Sequence, residues 1–485
     1  TRRAFANGRG AHLHCQFTFR GYNSILTAGP LTFGLSGCQI PKMRNCSHSL
    51  RFLGAFFACC WTVAAWAGPG NGLTVASWVL SPYVDLNFSH DSNVYKDGTN
   101  VISDTFFEPE LGLRFSSSAE TNTFLVKGNL FLSDRSYDTE SNRDFTTYGD
   151  HLTLQLGNGR KSMFEIIQSY RFLDDNDRHA SDIESSRLSG EMVEDSNALD
   201  LERELNQLGA SLSRRMSDKL LLSLSYRYSG VHYPNETHDR LRRKQEEYVP
   251  EGLDLDGHIW QVEGAWGVTD KTDVLLTLRQ GLQYQEGTGD PAELTTIRLG
   301  LQTQGAQKLV YHLGAGLEYY ARPYEPTFAE ADLDETDVQV DEDGVHSDDD
   351  QISFNFNAAA DWFITEKLTF RIGGYNGTEF SSFYEQNGME YVSGWAGLGY
   401  RWRPSWIFSM RGIYRYDDYL DPVTHEGVTK DRKDVRVEGH ARIDYIAPGN
   451  FLRVYLEAIY DEVDSNFDFV DYDDRRLILG AIVQY

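Results

Sequence analysis

The sequence lacks cysteine over most of its length, and it lacks long apolar runs over the same part. All five cysteines, Cys15, Cys38, Cys46, Cys59 and Cys60, lie before residue 68. The rest of the chain therefore has no thiol for a disulfide, a zinc site or a cysteine nucleophile. No segment after Ala67 has the length and hydropathy of a transmembrane helix, so the sequence excludes a helical membrane protein.

Basic residues are scarce, and their distribution is uneven. The chain has 45 Lys and Arg against 72 Asp and Glu. Residues 1–67 contain seven of the basic residues and no acid, so the remainder has 45 − 7 = 38 basic residues against 72 acids, a balance of −34. Nucleic-acid binding needs Lys and Arg surfaces that neutralise phosphates, so this balance argues against it. Such a charge suits solubility, cation binding or an anionic cell surface.

A segment near the beginning of the sequence has the pattern of an export signal. Arg44 and Arg51 precede an apolar stretch from Leu53 to Ala64, which is too short for a stable membrane anchor. Ala65-Trp66-Ala67 then supplies the small residues of a cleavage site. We therefore expect residues 43–67 to be a signal peptide and residues 68–485 to be the mature protein. Residues 1–42 are expected to be upstream translation that is not part of the mature protein.

The mature chain consists largely of runs with period-two alternation, which predict strands. Leu220, Leu222 and Leu224 share one face of such a run, and Ser223 and Ser225 lie on the other. The sequence predicts eighteen strands, approximately at 78–89, 106–115, 123–133, 145–156, 162–173, 204–214, 219–233, 257–267, 274–285, 294–303, 308–321, 351–363, 367–379, 389–402, 405–416, 433–446, 451–462 and 475–485.

The connections between these strands alternate strictly between short and long. Met216–Lys219 and Ala447–Asn450 are short turns, whereas 174–203 and 322–350 are long connections. Short periplasmic turns and long extracellular loops are typical of outer-membrane barrels, and soluble sandwiches do not keep this alternation along a whole chain. We therefore expect an all-β protein, a closed antiparallel transmembrane β-barrel of about 18 strands with both ends on the periplasmic side.

The final strand and the aromatic residues indicate a membrane setting. The last run places Leu477, Leu479, Val483 and Tyr485 on one face, and this resembles the C-terminal signal that the barrel-assembly machinery reads. Aromatic residues near strand ends, such as Trp266, fit interfacial girdles. The expected location is the cell outer membrane. The expected partners are outer-membrane lipid and lipopolysaccharide and the barrel-assembly machinery, and no nucleic acid.

The first two predicted strands carry a family resemblance. The segment His90-Asp91-Ser92-Asn93-Val94-Tyr95, followed by Ser103-Asp104 and by Pro109-Glu110-Leu111-Gly112-Leu113, resembles the opening of an outer-membrane β-barrel, porin-like family. Members of that family are often encoded beside exopolysaccharide or capsule biosynthesis genes. The resemblance implies a barrel and a link to polysaccharide export or secretion, with polysaccharide as a further partner. It covers the first fifth of the mature chain and supplies no catalytic residues.

The phase of each run predicts which charged residues face the interior. Ten basic residues are expected to line the lumen: Lys127, Arg227, Arg279, Arg298, Arg371, Arg411, Arg415, Arg436, Arg442 and Arg453. Four acids, Glu263, Glu438, Asp444 and Glu457, are expected to join them. One interpretation is a lumen that favours anions such as uronic-acid-bearing sugars. The other is that arginines and acids pair and fill the interior, for example Arg411, Glu438 and Arg453 on three successive strands.

The function expected from these patterns is a porin-like channel for passive diffusion or export of polar solutes. An alternative is a non-conducting structural or adhesion barrel whose acidic loops bind cations or polysaccharide, because connection 322–350 carries twelve acids. A third is an outer-membrane hydrolase, but the inward candidates His151, His312 and His440 have no motif-grade spacing. We expect no enzyme activity, no cofactor and no metal site.

Overall fold

The computed structural model describes most of residues 68–485. The predicted signal peptide, residues 1–42 and the acidic connection 322–350 lie outside the described residues. The described ranges are 72–75, 77–96, 101–117, 123–140, 144–157, 161–173, 203–232, 254–285, 291–304, 308–321, 351–379, 389–425, 428–467 and 471–484. Within these ranges, no helix is long and apolar enough to cross a membrane.

The described residues form nineteen strands. In chain order they are β1 Leu73–Val75, β2 Trp78–Asp91, β3 Asp104–Ser117, β4 Phe124–Tyr137, β5 Phe145–Gly157, β6 Ser162–Leu173, β7 Arg203–Arg215, β8 Leu220–His232, β9 Leu255–Thr269, β10 Thr272–Gln285, β11 Ala292–Gln304, β12 Leu309–Ala321, β13 Gln351–Phe363, β14 Leu368–Glu379, β15 Met389–Arg403, β16 Trp406–His425, β17 Val428–Ile446, β18 Leu452–Ser465 and β19 Tyr472–Gln484.

Eighteen of these strands close into a ring. Each strand from β2 to β18 pairs antiparallel with the next, and β19 pairs with β2 from Arg476↔Asp91 to Gln484↔Tyr83. The predicted fold class, a closed antiparallel barrel of eighteen strands, is therefore confirmed. The short strand β1 was not predicted; it pairs with Trp78–Leu80 of β2, beyond the end of β19. We call the two ends of the barrel the short-turn end and the loop end.

The two faces of the wall differ in chemistry. Leu456, Leu479, Phe88 and Phe107 are successive register partners on β18, β19, β2 and β3, and all four side chains are exposed. Exposed large apolar side chains recur at alternate positions on the other strands, so the outer face is a continuous apolar band. The alternate residues face the interior and are mostly polar, charged or glycine. An apolar outside and a polar inside are the pattern of a barrel that crosses a bilayer.

Several strands continue farther towards the loop end than the alternation predicts. β16 extends to His425 and β18 to Ser465, whereas the predicted runs end at 416 and 462. At this level the outer face carries charges, since Lys433 Nζ lies 3.1 Å from Asp418 Oδ2 on the neighbouring strand. The apolar alternation ends where the lipid-facing band ends, but the backbone ladder continues beyond it. The sequence pattern therefore marks the membrane band rather than the full strand.

Candidate functional site: the inner wall

The register places all ten predicted basic residues on the inward face. Arg298 lies between Ile297 and Leu299, whose side chains are exposed on the outer face, and Arg411 follows the exposed Met410. The other eight residues also occupy positions that alternate with the outward-facing residues of their strands: Lys127, Arg227, Arg279, Arg371, Arg415, Arg436, Arg442 and Arg453. That these residues line a conducting lumen stays a prediction.

On β17 and β18 the inward arginines form a network with acids. Arg442 Nε lies 3.0 Å from Asp444 Oδ1, and Arg442 Nη1 lies 3.0 Å from Glu457 Oε2. Arg453 Nε donates to the same Asp444 oxygen at 2.7 Å. Asp444 is buried, so two guanidinium groups compensate one desolvated carboxylate. On β16, the guanidinium of Arg415 forms an ion pair with the carboxylate of Asp417. In this sector the arginines neutralise acids of the wall.

The expected grouping of Arg411, Glu438 and Arg453 is wrong for Arg453, which pairs with Asp444. The reason is the register of the ladders. Arg453 lies opposite Ile446 at the short-turn end of β17, whereas the partner of Glu438 on β18 is Asp461. Glu438 itself contacts His440, and the guanidinium of Arg411 lies 5.9 Å from the centroid of the Trp395 ring.

On β4 and β8–β14 the inward basic residues have a different environment. Arg298 Nε donates to the neutral Asn355 Oδ1 at 2.7 Å. Arg371 lies 3.4 Å from Asp361, but its side chain remains 60% exposed. Lys127 is also exposed, and Arg227 and Arg279 are half-buried. Ion pairs between exposed groups contribute little stability, so Arg371 remains solvated beside Asp361.

The burial of the inward charges varies along the height of the wall. Towards the loop end the inward charges are packed: Arg476 Nε lies 2.9 Å from Asp91 and 3.0 Å from Asp474, and all three side chains are buried. Towards the short-turn end, Lys127 and Arg371 face solvent. The inward charges near the loop end are therefore packed, whereas Lys127 and Arg371 lower down are solvated and Asp444 at the short-turn end is buried.

The connection after β2 folds across the junction between the first and last strands of the ring. Ser92 N donates to Arg475 O at 3.0 Å, and Arg475 N donates back to Ser92 Oγ at 2.7 Å. Asn93 Nδ2 donates to Asp473 O at 3.0 Å, and Asn93 N donates to Asp91 Oδ1 at 2.8 Å. The segment that carries the family resemblance thus extends the closing ladder by two residues.

This connection ends at a buried lysine. Lys96 Nζ lies 2.8 Å from Asp461 Oδ2 on β18, and both side chains are buried. Lys96 has a φ of 48°, a left-handed conformation that non-glycine residues rarely adopt. Burial lowers the pKa of Lys96, and the attraction of Asp461 opposes that shift. The contact between Lys96 and Asp461 was not predicted from the sequence. The one signal was the Asp91-x-Asn93 spacing, which favours a turn in which the Asp side chain accepts a backbone hydrogen bond two residues on.

The inward histidines are held by polar neighbours. His312 lies 3.2 Å from Asn357 Nδ2, and His440 contacts Glu438 and lies 3.6 Å from Glu457. His151 is exposed on the inner face. In the part of the chain that the structure describes, no group of three His, Cys, Asp or Glu side chains is arranged to hold a metal ion.

No family model and no curated protein matches the chain. The solved structures to which it is similar include OpdQ of Pseudomonas aeruginosa (11% identity, 84% of this chain and 98% of that chain, TM-score 0.42). A BenF-like porin from Pseudomonas fluorescens Pf-5 has 10% identity, 85% and 100% coverage and a TM-score of 0.44. Pseudomonas aeruginosa OccK2 (OpdF), solved in complex with glucuronate, has 12% identity, 84% and 99% coverage and a TM-score of 0.43. At this identity the similarity says nothing about the solute. The ladders and the two faces of the wall, rather than this similarity, identify the fold as a closed antiparallel β-barrel of eighteen strands.

Proposed function

We propose that this protein is a porin-like channel of a Gram-negative-type outer membrane that passes small polar solutes. The observation that carries the proposal is the wall itself. Eighteen strands close into a ring, the outer face is apolar, and solvated charged side chains such as Arg371 line the inside. A barrel of this strand number is wide enough for an aqueous route. The loop end, with its long connections, then faces outward, and the short-turn end is periplasmic.

The solvated basic groups support a preference for anions. Arg371 is largely exposed, Lys127 is exposed, and Arg298 is bonded to a neutral amide rather than to a carboxylate. The network of Arg442 and Arg453 with Asp444 and Glu457 contributes little net charge. Selectivity would therefore depend on the wall of β4 and β8–β14, whereas the sector of β16–β18 mainly stabilises the barrel.

Reversal potentials in a planar bilayer under a salt gradient test this proposal. We expect discrete open steps with a reversal potential that favours chloride over potassium. Arg371→Gln is expected to reduce that preference, because it removes a solvated inward charge. The matched control is Arg475→Gln, which removes a charge from an exposed side chain on the outer face. Cation preference in the unaltered protein, or equal effects of the two variants, would contradict the role of the inner arginine.

The packed loop end favours a second candidate, a non-conducting barrel with a structural or adhesive role. Arg432, Asp434 and Asp461 are inward residues that solvent barely reaches. A folded protein that inserts without any conductance would select this alternative.

The link to exopolysaccharide and the absence of enzyme activity remain predictions. Faster efflux of an acidic oligosaccharide from vesicles that contain the barrel than from empty vesicles would support the link to exopolysaccharide.

A further inference from the structure

The junction between β13 and β14 is incomplete at the loop end. Its ladder runs from Phe356↔Asn376 to Phe363↔Thr369, although β13 begins at Gln351 and β14 continues to Glu379. Residues 351–355 of β13 pair with β12 only. By contrast, the β7–β8 ladder continues to Glu204↔His232 at the loop end. The wall is thus split between β13 and β14 over its outermost part.

One asparagine satisfies the backbone where the split begins. Asn376 Oδ1 accepts a hydrogen bond from Phe356 N at 2.6 Å, and Asn376 Nδ2 donates to Phe354 O at 2.7 Å. In lipid, a backbone polar group without a partner costs several kcal/mol, so the split requires such substitutes. A single side chain here takes the place of two ladder bonds.

Four more side chains complete what we call the side-chain zipper, which consists of Glu318, Ser353, Asn355, Asn376 and Thr378. Asn355 Nδ2 donates to Asn376 O at 2.8 Å, and Ser353 Oγ lies 3.1 Å from Thr378 Oγ1. Glu318 reaches across from β12, and its Oε2 accepts from Thr378 N at 2.7 Å. Every one of these contacts uses a side chain, so it can break while both strands keep their ladders to β12 and β15.

A glycine makes room for the zipper. A Cβ at Gly377 would lie 2.8 Å from Asn355 Nδ2 and 2.8 Å from Glu318 Oε2. Any larger residue would therefore displace the two side chains that cross the split. Glu318 is 3% exposed, and its other oxygen accepts from Thr296 Oγ1 at 2.9 Å. The buried carboxylate of Glu318 thus accepts a backbone hydrogen bond at a point where the β13–β14 ladder is missing.

The two sides of the split present opposite chemistry. On the outer face, Ile352 and Phe354 are 70% and 58% exposed, so the lipid-facing side is strongly apolar. On the inner face lie Glu318 and Asn355, next to the guanidinium of Arg298. A route through this split would connect an acyl-chain environment with a polar interior.

We propose that the loop end of the β13–β14 junction is a lateral gate between the barrel interior and the outer leaflet. The side-chain zipper holds it closed, and its opening admits an amphiphile whose polar head stays inside while its apolar chain enters the lipid. This route is separate from the aqueous route along the barrel axis. Local openings that break few contacts are the least costly in a folded protein, and here no ladder bond has to break.

Thiol modification from the lipid phase tests the gate in the whole barrel. Because every native cysteine lies before residue 68, Ser353→Cys places a single thiol in the rest of the chain. The barrel in lipid vesicles is treated with N-dodecylmaleimide, which partitions into the bilayer, and separately with a sulfonated maleimide, which stays in water. Mass spectrometry measures both rates, and the rate with N-dodecylmaleimide is divided by the rate with the sulfonated maleimide. This ratio corrects for differences in how easily water-soluble reagent reaches the thiol through the interior.

The matched control is Ser229→Cys, also an inward serine in the loop-end half, on β8 with complete ladders to both neighbours. We expect the rate ratio at S353C to exceed that at S229C about tenfold. Asn376→Ala, which removes two closing bonds, is expected to raise the ratio at S353C and to leave S229C unchanged. Equal ratios at the two cysteines, or a ratio at S353C that ignores N376A, would overturn the gate whether or not the barrel conducts ions.

Discussion

Replacement of Arg476 by Met is expected to lower the free energy of unfolding by about 3–5 kcal/mol. Arg476 and Asp91 are register partners in the ladder that closes the ring, and Arg476 also contacts Asp474. All three side chains are buried. Removal of the guanidinium leaves two carboxylates desolvated and close together, because both are fixed on strands and neither can turn into water. Urea titration of the barrel in lipid vesicles measures the loss.

The next residue supplies the control. Arg475 carries the same charge on the same strand, but it faces outward, is 70% exposed and lies 3.2 Å from Asp473. Exposed ion pairs contribute about 0–1 kcal/mol, so Arg475→Met is expected to have little effect. Additional changes Asp91→Asn and Asp474→Asn should recover much of the loss in R476M by removing the uncompensated charges. Equal losses in R476M and R475M would show that burial of the closing cluster is not what stabilises it.

The fold could be predicted from the sequence because alternation and connection length both report on a lipid-facing band. Leu220, Leu222 and Leu224 are outward in the structure as the pattern indicates, with Ser223 and Ser225 inward. Strand β1 was missed because three residues are too few for any alternation to be recognised. The loop-end extensions of β16 and β17 were missed because charged residues on both faces conceal the period.

The inward residues could also be predicted, but their partners could not. Parity along a strand decides which face a side chain takes, and this needs only the sequence. Partners depend on the register between strands, which shifts progressively around a barrel. Arg453 therefore meets Asp444 at the short-turn end rather than Glu438, which lies farther along β17.

The side-chain zipper was missed for a different reason. The pattern of each single strand does not show that these residues contact one another, and only the junction shows that they replace backbone pairing. Asn376 and Gly377 were the available signal, since both residue types are disfavoured within strands and glycine often marks a close approach of another group.

The second large loss of stability is expected at a glycine of β12. Gly316→Ala on β12 is expected to destabilise the barrel by about 2–3 kcal/mol, because a Cβ there would overlap the backbone oxygen of Ile297 on β11. The two strands would have to separate at that point. Arg298, the register partner of Gly316, would then lose its position against Asn355, so a fall in anion preference should accompany the loss of stability.

Gly399→Ala is the matched control, also at an inward glycine within a strand. A Cβ at Gly399 has no heavy atom within 4 Å, and neither glycine has a positive φ. A methyl group there fills open space and restricts the unfolded chain, so we expect a gain of about 0.5 kcal/mol or no change. If G316A and G399A unfold at the same urea concentration, the close approach of β11 and β12 does not exist, and the contact between Arg298 and Asn355 loses its structural basis.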